Sequence, residues 1–193
     1  MTRISVLMLC AGLTGCSTST TARLGLPALQ AVERVDLQRY LGTWYEIASF
    51  PQSFQRGCTA TKATYGLGDD GEIDVLNSCR DGSLSGPERT AHGRARVVDL
   101  RTNAKLEVSF FRPFWGDYWV IELGEAYDYA VVGHPGRDSL WILARTPTMT
   151  EATYLGIVAR LQAQGYETSC LVRTVQIVEP GAAANSARTA ERS

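Results

Sequence analysis

The chain alternates between apolar and polar residues in a series of short segments, a pattern that predicts many β-strands and little helix. Segments in which every second residue is apolar are typical of strands with one buried face, and turn residues separate them here at short intervals. The clearest hairpin signal is Asp70-Gly71, which lies between two such segments. Strands are predicted over residues 58–67, 72–79, 89–100, 105–111, 117–123, 127–133 and 139–145, and one further strand completes a set of eight.

One later segment departs from this alternation and predicts a helix. Thr148 follows Pro147 and can cap a helix, and Glu151 three residues later completes a capping-box pattern. Apolar residues then recur at helical spacing up to Gly165, at Tyr154, Leu155, Val158 and Leu161. A last strand is predicted over residues 168–177. Eight strands, a helix and a final strand predict an all-β fold, an antiparallel up-and-down meander closed into an eight-stranded barrel without exposed edges.

The alternation also predicts which side chains point into this barrel. Three inward sets follow from it, namely Ile73, Val75, Asn77 and Cys79, then Leu106, Val108 and Phe110, then Trp141, Leu143 and Arg145. An eight-stranded barrel can hold a small ligand if its inward side chains leave room. The alternation by itself fits a filled core equally well.

The N-terminal residues have the pattern of an export signal that ends in a cysteine. Arg3 supplies positive charge, and the ten residues from Ile4 to Leu13 are apolar, too few to span a bilayer, which needs ~20. Leu13-Thr14-Gly15-Cys16 resembles the lipobox of bacterial lipoproteins, which implies that residues 1–15 are removed and that Cys16 is acylated. Two or three acyl chains would anchor the protein stably. A plain signal peptide with a chance cysteine is the alternative.

The remaining chain is predicted to form one domain between two flexible segments. Residues 16–35 begin with a Ser/Thr-rich stretch and are interpreted as a flexible tether. Residues 179–193 are small and polar without apolar periodicity, and are predicted to be disordered. The folded domain is therefore expected over residues 36–178.

The composition agrees with a globular domain and argues against several classes of function. Hydrophobic residues make up 45% of the chain and the net charge is −1, so no basic surface for nucleic acid is expected. His92 and His134 lack neighbours that would suggest a catalytic triad or a metal site. No catalytic residue, metal or cofactor is predicted.

Three motifs resemble those of the lipocalins and occur in the order in which that family has them. Gly42-Thr43-Trp44 is similar to the family's Gly-x-Trp opening. Tyr127-Asp128-Tyr129 resembles its Thr-Asp-Tyr motif with the first position changed, and Arg145 matches the arginine before its helix. Longer stretches such as YLGTWYEIASFPQSFQRG are similar to the outer-membrane lipocalins of bacteria, to which apolipoprotein D is related. The resemblance covers nearly the whole domain.

The resemblance implies a role for each motif and a position for the ligand. Trp44 would close one end of the barrel with Arg145 across its ring, so Gly42, Trp44 and Arg145 are expected to be structural. Loops around residues 50–57 and 111–116 would form the open end. There Phe111, Phe114 and Trp115 either contact lipid or fold over the barrel. Pocket positions of the family and the alternation together predict the lining residues Tyr65, Val75, Asn77, Val108, Phe110, Tyr118 and Trp141. Asn77 would be the polar group on an otherwise apolar wall.

Three cysteines remain once Cys10 leaves with the signal and Cys16 is acylated, which allows one disulfide. If Leu67 pairs with Glu72, Cys58 and Cys79 lie within about two residues of being opposite, and a bulge would bring them into range. The preferred pair is therefore Cys58–Cys79, with Cys170 left as a free thiol. The alternative, implied by other lipocalins, ties Cys170 to one of the other two.

The sequence thus predicts an acylated lipocalin at the periplasmic face of the outer membrane. Its expected ligands are lysophospholipids or fatty acids, which it could transport or store. A structural or interaction lipoprotein with a filled barrel, acting through its surface loops, is the alternative. An enzyme is not expected, although some lipocalins are isomerases with a barrel cysteine, a role that a free Cys79 could fill. The ligand's identity and a homodimer are left open.

Overall fold

The computed structural model describes residues 25–178, which form a closed antiparallel β-barrel. Each of the eight barrel strands pairs with its neighbour in the chain, and β1 pairs with both β2 and β8 to close the ring. The predicted up-and-down barrel is therefore confirmed. Its strands are β1 (Gly42–Ser49), β2 (Cys58–Leu67), β3 (Ile73–Asp81), β4 (Glu88–Val97), β5 (Lys105–Phe111), β6 (Phe114–Leu123), β7 (Tyr129–Gly133) and β8 (Leu140–Ala144).

Two helices accompany the barrel, the single turn α1 (Leu37–Tyr40) and α2 (Glu151–Ala163). The prediction that Thr148 caps α2 is wrong, because the Thr150 carbonyl accepts the first helical hydrogen bond and the Thr150 hydroxyl accepts from the backbone N–H of Thr153. Leu155, predicted on the apolar face, is 55% exposed, and Ile157 is buried instead. Within residues 25–178, no helix is long and apolar enough to cross a membrane.

The C-terminal residues form only a short strand. The strand predicted over residues 168–177 is a 3-10 turn (Thr168–Cys170) followed by β9 (Val172–Arg173), which pairs with β1. β1 and β2 pair with each other only over Gly42–Tyr45 and then diverge. Residues 172–176, the C-terminal strap, lie between them, where Thr174 N–H donates to the Ile47 carbonyl and Ala60 N–H to the Val175 carbonyl. The strap thus divides its hydrogen bonds between two strands, so it is not a regular strand.

The apolar side chains form two clusters, one inside the barrel and one outside it. The inner cluster fills the end around Trp44, and the outer cluster lies between α2 and the barrel wall. On β8, Leu140 and Ile142 belong to the outer cluster and Leu143 to the inner one. This explains why the sequence of β8 is continuously apolar, since both of its faces are covered.

The chain before the barrel is packed rather than free. Residues 25–35 follow the outside of the barrel, and Leu29 and Val35 are buried. The prediction of a flexible tether over residues 16–35 is therefore wrong for residues 25–35, because the apolar side chains that follow the Ser/Thr-rich start are covered by the fold. The predicted signal (1–15), Cys16 and the predicted tail (179–193) lie outside the described residues.

The predicted disulfide is confirmed, because Cys58 and Cys79 are bonded with their Cα atoms 5.4 Å apart. In the β2–β3 hairpin Leu67 pairs with Ile73 rather than Glu72. Nearer the start of β2, a bulge between Thr59 and Lys62 shifts the register. The bulge brings Cys58 opposite Asp81, two residues beyond Cys79. Cys170 is buried and is also disulfide-bonded, so the prediction of a free thiol at this position is wrong, and so is its pairing with Cys58 or Cys79.

Candidate functional site

A cavity of about 310 Å³ opens at one end of the barrel, so the interior is not filled. Strands β2, β3, β5, β6 and β8 supply its walls, and residues of the β1–β2 loop and of the β7–β8 hairpin surround its mouth. The structure brings all seven residues predicted to contact a ligand into the lining of this one cavity, namely Tyr65, Val75, Asn77, Val108, Phe110, Tyr118 and Trp141.

The opposite end of the barrel is closed by the motif residues. Trp44 is fully buried, and the Arg145 guanidinium lies 3.7 Å from the centre of its ring. Arg145 also donates hydrogen bonds to the carbonyls of Thr43 and Tyr127, at 3.0 and 3.3 Å. Gly42 adopts a left-handed φ of 90° beside this side chain, a conformation that favours glycine. Gly42, Trp44 and Arg145 therefore lie together and outside the cavity.

Three tyrosine hydroxyls meet at the base of the cavity. Tyr118 Oη lies 2.8 Å from Tyr40 Oη and 2.9 Å from Tyr65 Oη. Burial raises the pKa of Tyr65 to about 12 and also raises the pKa values of Tyr40 and Tyr118 well above that of an exposed tyrosine. All three side chains are therefore neutral phenols at neutral pH. Sequence reasoning missed Tyr40, because it lies on α1 and the strand alternation does not reach it.

Tyr40, Tyr65 and Tyr118 are called the tyrosine trio below. Their two mutual hydrogen bonds leave one hydroxyl proton unused, and a buried oxygen acceptor lies on the same cavity wall. Each phenol has one proton to donate, and the two contacts within the trio use two of the three. On the cavity wall, Asn77 Oδ1 is buried and has no hydrogen-bond partner among the described residues. Buried polar groups are normally paired, so the cavity can accommodate a polar group as well as an apolar chain.

The mouth of the cavity is crossed by a hydrogen-bonded bridge. Gln55, at the end of the 3-10 turn Ser53–Gln55, donates to Glu46 Oε2 at 2.7 Å and accepts from the Trp141 indole N–H at 3.2 Å. Glu46 is buried, and its other oxygen accepts from the hydroxyls of Ser49 and Thr174. Sequence reasoning missed Glu46 and Gln55, although a glutamate two residues after Trp44, on the same face of β1, is a signal for a polar site inside the barrel.

Exposed aromatic side chains flank the same mouth. Phe54 is 62% exposed in the β1–β2 loop, and Phe111 and Phe114 are 81% and 75% exposed where β5 turns into β6. These two phenylalanines pair across a tight hairpin, so the loop expected over residues 111–116 is only the two residues between the strands. Trp115 packs with its ring 4.2 Å from the Arg96 guanidinium. Phe111 and Phe114 do not fold over the barrel, whereas Phe54 also lines the cavity at its mouth.

Two features of the described residues bear on the chemistry of the barrel. Cys79 is held in the disulfide, so it has no thiol with which to act as a nucleophile. In residues 25–178, no group of three or more His, Cys, Asp or Glu side chains is placed to hold a metal ion.

Comparisons with known proteins agree with this architecture. Residues 35–176 match the model of the lipocalin-like domain. The chain is 39% identical over 166 residues to the outer membrane lipoprotein Blc of Escherichia coli K12, covering 86% of this chain and 89% of that protein. It is 31% identical to mouse apolipoprotein D, covering 90% and 96%. Among solved structures, insecticyanin of Manduca sexta superposes with a TM-score of 0.62 at 20% identity, covering 80% and 87%. The chain belongs to the lipocalin family.

Proposed function

We propose that this protein binds a single-chain lipid, a fatty acid or a lysophospholipid, in the barrel cavity. The observation that carries this proposal is the open, largely apolar cavity of about 310 Å³, a volume within the range of small-molecule sites. An acyl chain gains free energy by burial, at ~25 cal/mol per Å² of apolar surface removed from water.

The distribution of polar groups favours an amphiphile with its head at the mouth. Val75, Val108 and Leu143 supply apolar wall, whereas the loop and hairpin side chains of Gln52, Gln55 and His134 are polar. A bound lipid could thus place its tail between the strands and its charged or hydroxylated head among these groups. The trio and Asn77 would satisfy a further polar atom of the ligand or a water molecule.

The same proposal places the protein at the periplasmic face of the outer membrane, held by an acylated Cys16. The pattern around Cys16 supports this location, and so do relatives that are named outer membrane lipoproteins. Transport or storage of the bound lipid follows as a role, since an anchored barrel lies beside a supply of lipid.

The alternative of a filled barrel that acts only through its loops is disfavoured by the cavity itself. A lipocalin isomerase with a barrel cysteine is disfavoured because Cys79 is bonded to Cys58. A binding protein is therefore the better interpretation.

Native mass spectrometry with lipid extraction tests the proposal on the protein purified from a Gram-negative host. We expect a co-purifying fatty acid or lysophospholipid at close to one per chain. An empty protein that also takes up no fluorescent fatty acid would overturn the proposal.

A matched pair of variants shows whether the ligand lies in the cavity. Ala63 lines the cavity, whereas Thr90 is exposed on β4 and lies outside the lining. Ala63→Phe is expected to reduce the affinity for a fluorescent fatty acid at least tenfold, because the new ring takes the ligand's space. Thr90→Phe is expected to leave it unchanged. Equal affinities in both variants would place the ligand elsewhere.

A further inference from the structure

We propose that the mouth of the barrel docks on the surface of a lipid bilayer, with Phe54, Phe111 and Phe114 entering the interfacial layer. These three side chains are called the aromatic rim below. The proposal rests on the proposed acylation of Cys16, and adds an orientation and a second membrane contact to it.

The aromatic rim consists of large apolar groups that the fold holds in water. Phe111 and Phe114 face each other across the β5–β6 turn, and Phe54 lies on the β1–β2 loop at the same mouth. Backbone pairing fixes the first two, so they cannot be buried by a local rearrangement of their own hairpin. Exposed aromatic groups clustered at one end of a protein mark a surface for an apolar partner.

Exposure alone does not decide which end faces the membrane. At the closed end Leu67 is 58% exposed, and Leu100 is as exposed as Phe111. A second, independent feature is therefore needed, and the course of the N-terminal segment supplies it.

The N-terminal segment enters the structure at the mouth end and runs toward the closed end. The Pro27 carbonyl accepts a 2.7 Å hydrogen bond from Arg137, in the β7–β8 hairpin beside the mouth. Farther along, Val32 N–H donates to the Val120 carbonyl and Val35 N–H to the Thr102 carbonyl, in the β4–β5 connection at the closed end. The described part of the chain therefore begins on the side of the aromatic rim.

The length of that connection favours the mouth over the closed end. Eight residues lie between Cys16 and Gly25, and the nine Cα–Cα steps across them span at most about 30 Å when fully extended. A ten-residue strand such as β2, tilted as barrel strands are, extends roughly 25 Å along the barrel. Turning the closed end to the membrane would use almost the full reach of the connection, whereas docking the mouth needs very little of it.

Docking in this orientation connects the bilayer directly with the cavity. A lipid tail could then pass between membrane and barrel with little exposure to water, past the Gln55 bridge at the mouth. The membrane contact would therefore help to load the barrel with lipid as well as to anchor the protein.

Tryptophan reporters test the orientation in the acylated, full-length mature protein reconstituted in vesicles that contain brominated phosphatidylcholine. Phe111→Trp and Leu100→Trp place an indole at equally exposed positions at opposite ends. Relative to the unsubstituted protein, we expect bromine quenching of the added fluorescence at position 111 and none at position 100. Equal quenching at both, or quenching at position 100 alone, would overturn the proposal.

The contribution of the rim itself is tested without the acyl anchor, in the mature chain carrying Cys16→Ser. We expect Phe111→Ser with Phe114→Ser to reduce co-sedimentation with phosphatidylethanolamine–phosphatidylglycerol vesicles at least fivefold, and Leu100→Ser to leave it unchanged. Unchanged co-sedimentation of the double variant would overturn the docking proposal. Uptake of a fluorescent fatty acid in solution, measured on the same proteins, reports the cavity separately, so loss of that uptake in the parent chain would count against the proposed function instead.

Discussion

The tyrosine trio at the base of the cavity depends on its central member. Tyr118 contacts both other hydroxyls, so Tyr118→Phe leaves Tyr40 and Tyr65 buried without this partner, whereas Tyr40→Phe leaves the Tyr118–Tyr65 contact in place. Buried unpaired polar groups cost about 1–3 kcal/mol each. We expect Tyr118→Phe to lower the free energy of unfolding by about 2 kcal/mol more than Tyr40→Phe does, as measured by urea denaturation. Equal losses would mean that water replaces the missing hydroxyl.

Raised phenol pKa values also predict a loss of stability in alkali. An unfolded tyrosine ionises near pH 10, but burial raises the pKa of Tyr65 to about 12, so above pH 10 the unfolded chain releases a proton that the folded chain retains. The free energy of unfolding should therefore fall between pH 10 and 12, by about 1.4 kcal/mol per pH unit for each such phenol. Urea titrations at pH 9, 10 and 11 measure this slope, and Tyr65→Phe should reduce it. A slope that Tyr65→Phe leaves unchanged would contradict the assignment.

The alternation of side chains and the family resemblance identify cavity residues on the strands but not those on the loops. Val75, Asn77, Val108 and Trp141 could be assigned to the cavity because strand geometry alternates their side chains without regard to distant contacts. Gln55 could not, since its position depends on a loop that meets Glu46 and Trp141 only in the folded barrel. Hydrogen bonds between segments that are distant in sequence produce no periodic pattern from which they could be predicted.

Among the elements, the C-terminal strap joins β1 and β2 where these two strands no longer pair with each other. Gln176 donates through its side chain to the carbonyls of Glu46 and Thr61, on the two strands that the strap joins. Gln176→Ala removes both hydrogen bonds and should lower the free energy of unfolding by about 1–2 kcal/mol. Amide exchange at Ala60, which donates to the Val175 carbonyl, should become faster.

A matched control distinguishes the strap from a general effect of losing a glutamine. Among residues 25–178, the Gln30 side chain donates only to the nearby Ala28 carbonyl, so Gln30→Ala should change neither stability nor exchange at Ala60. If Gln176→Ala behaved like Gln30→Ala, the seam between β1 and β2 would be held by backbone hydrogen bonds alone.

The elements that sequence reasoning placed well are those whose signals are local. The bounds of β2 and β5 coincide with the predicted ones, because alternation and flanking turn residues define them. The final strand was predicted too long, since residues 174–176 are held between two strands rather than along one. The start of α2 was missed by two residues because both threonines suit a cap and only the folded chain selects Thr150.

For the whole molecule, the two apolar clusters lie on opposite sides of the barrel wall. The outer cluster packs under α2, whereas the inner one surrounds Trp44 and continues into the cavity lining, where Tyr65, Val75 and Leu143 belong to both. The outer cluster thus adds buried apolar surface that does not occupy the interior of the barrel. The packed N-terminal segment belongs to the same arrangement, because Leu29 joins the outer cluster and Val35 the inner one.

The Cys58–Cys79 disulfide should act on the stability of the whole fold and not on the cavity. It joins residues 21 apart in sequence, and closing a loop of that size stabilises a fold by about 3 kcal/mol in the chain-entropy model. Neither cysteine lines the cavity. The double variant Cys58→Ser with Cys79→Ser should therefore lose about 3 kcal/mol in urea denaturation and keep its affinity for a fluorescent fatty acid. The reverse result, with stability kept and affinity lost, would show that the bond holds the β1–β2 loop over the mouth, and the cavity's shape would then depend on a covalent restraint outside it.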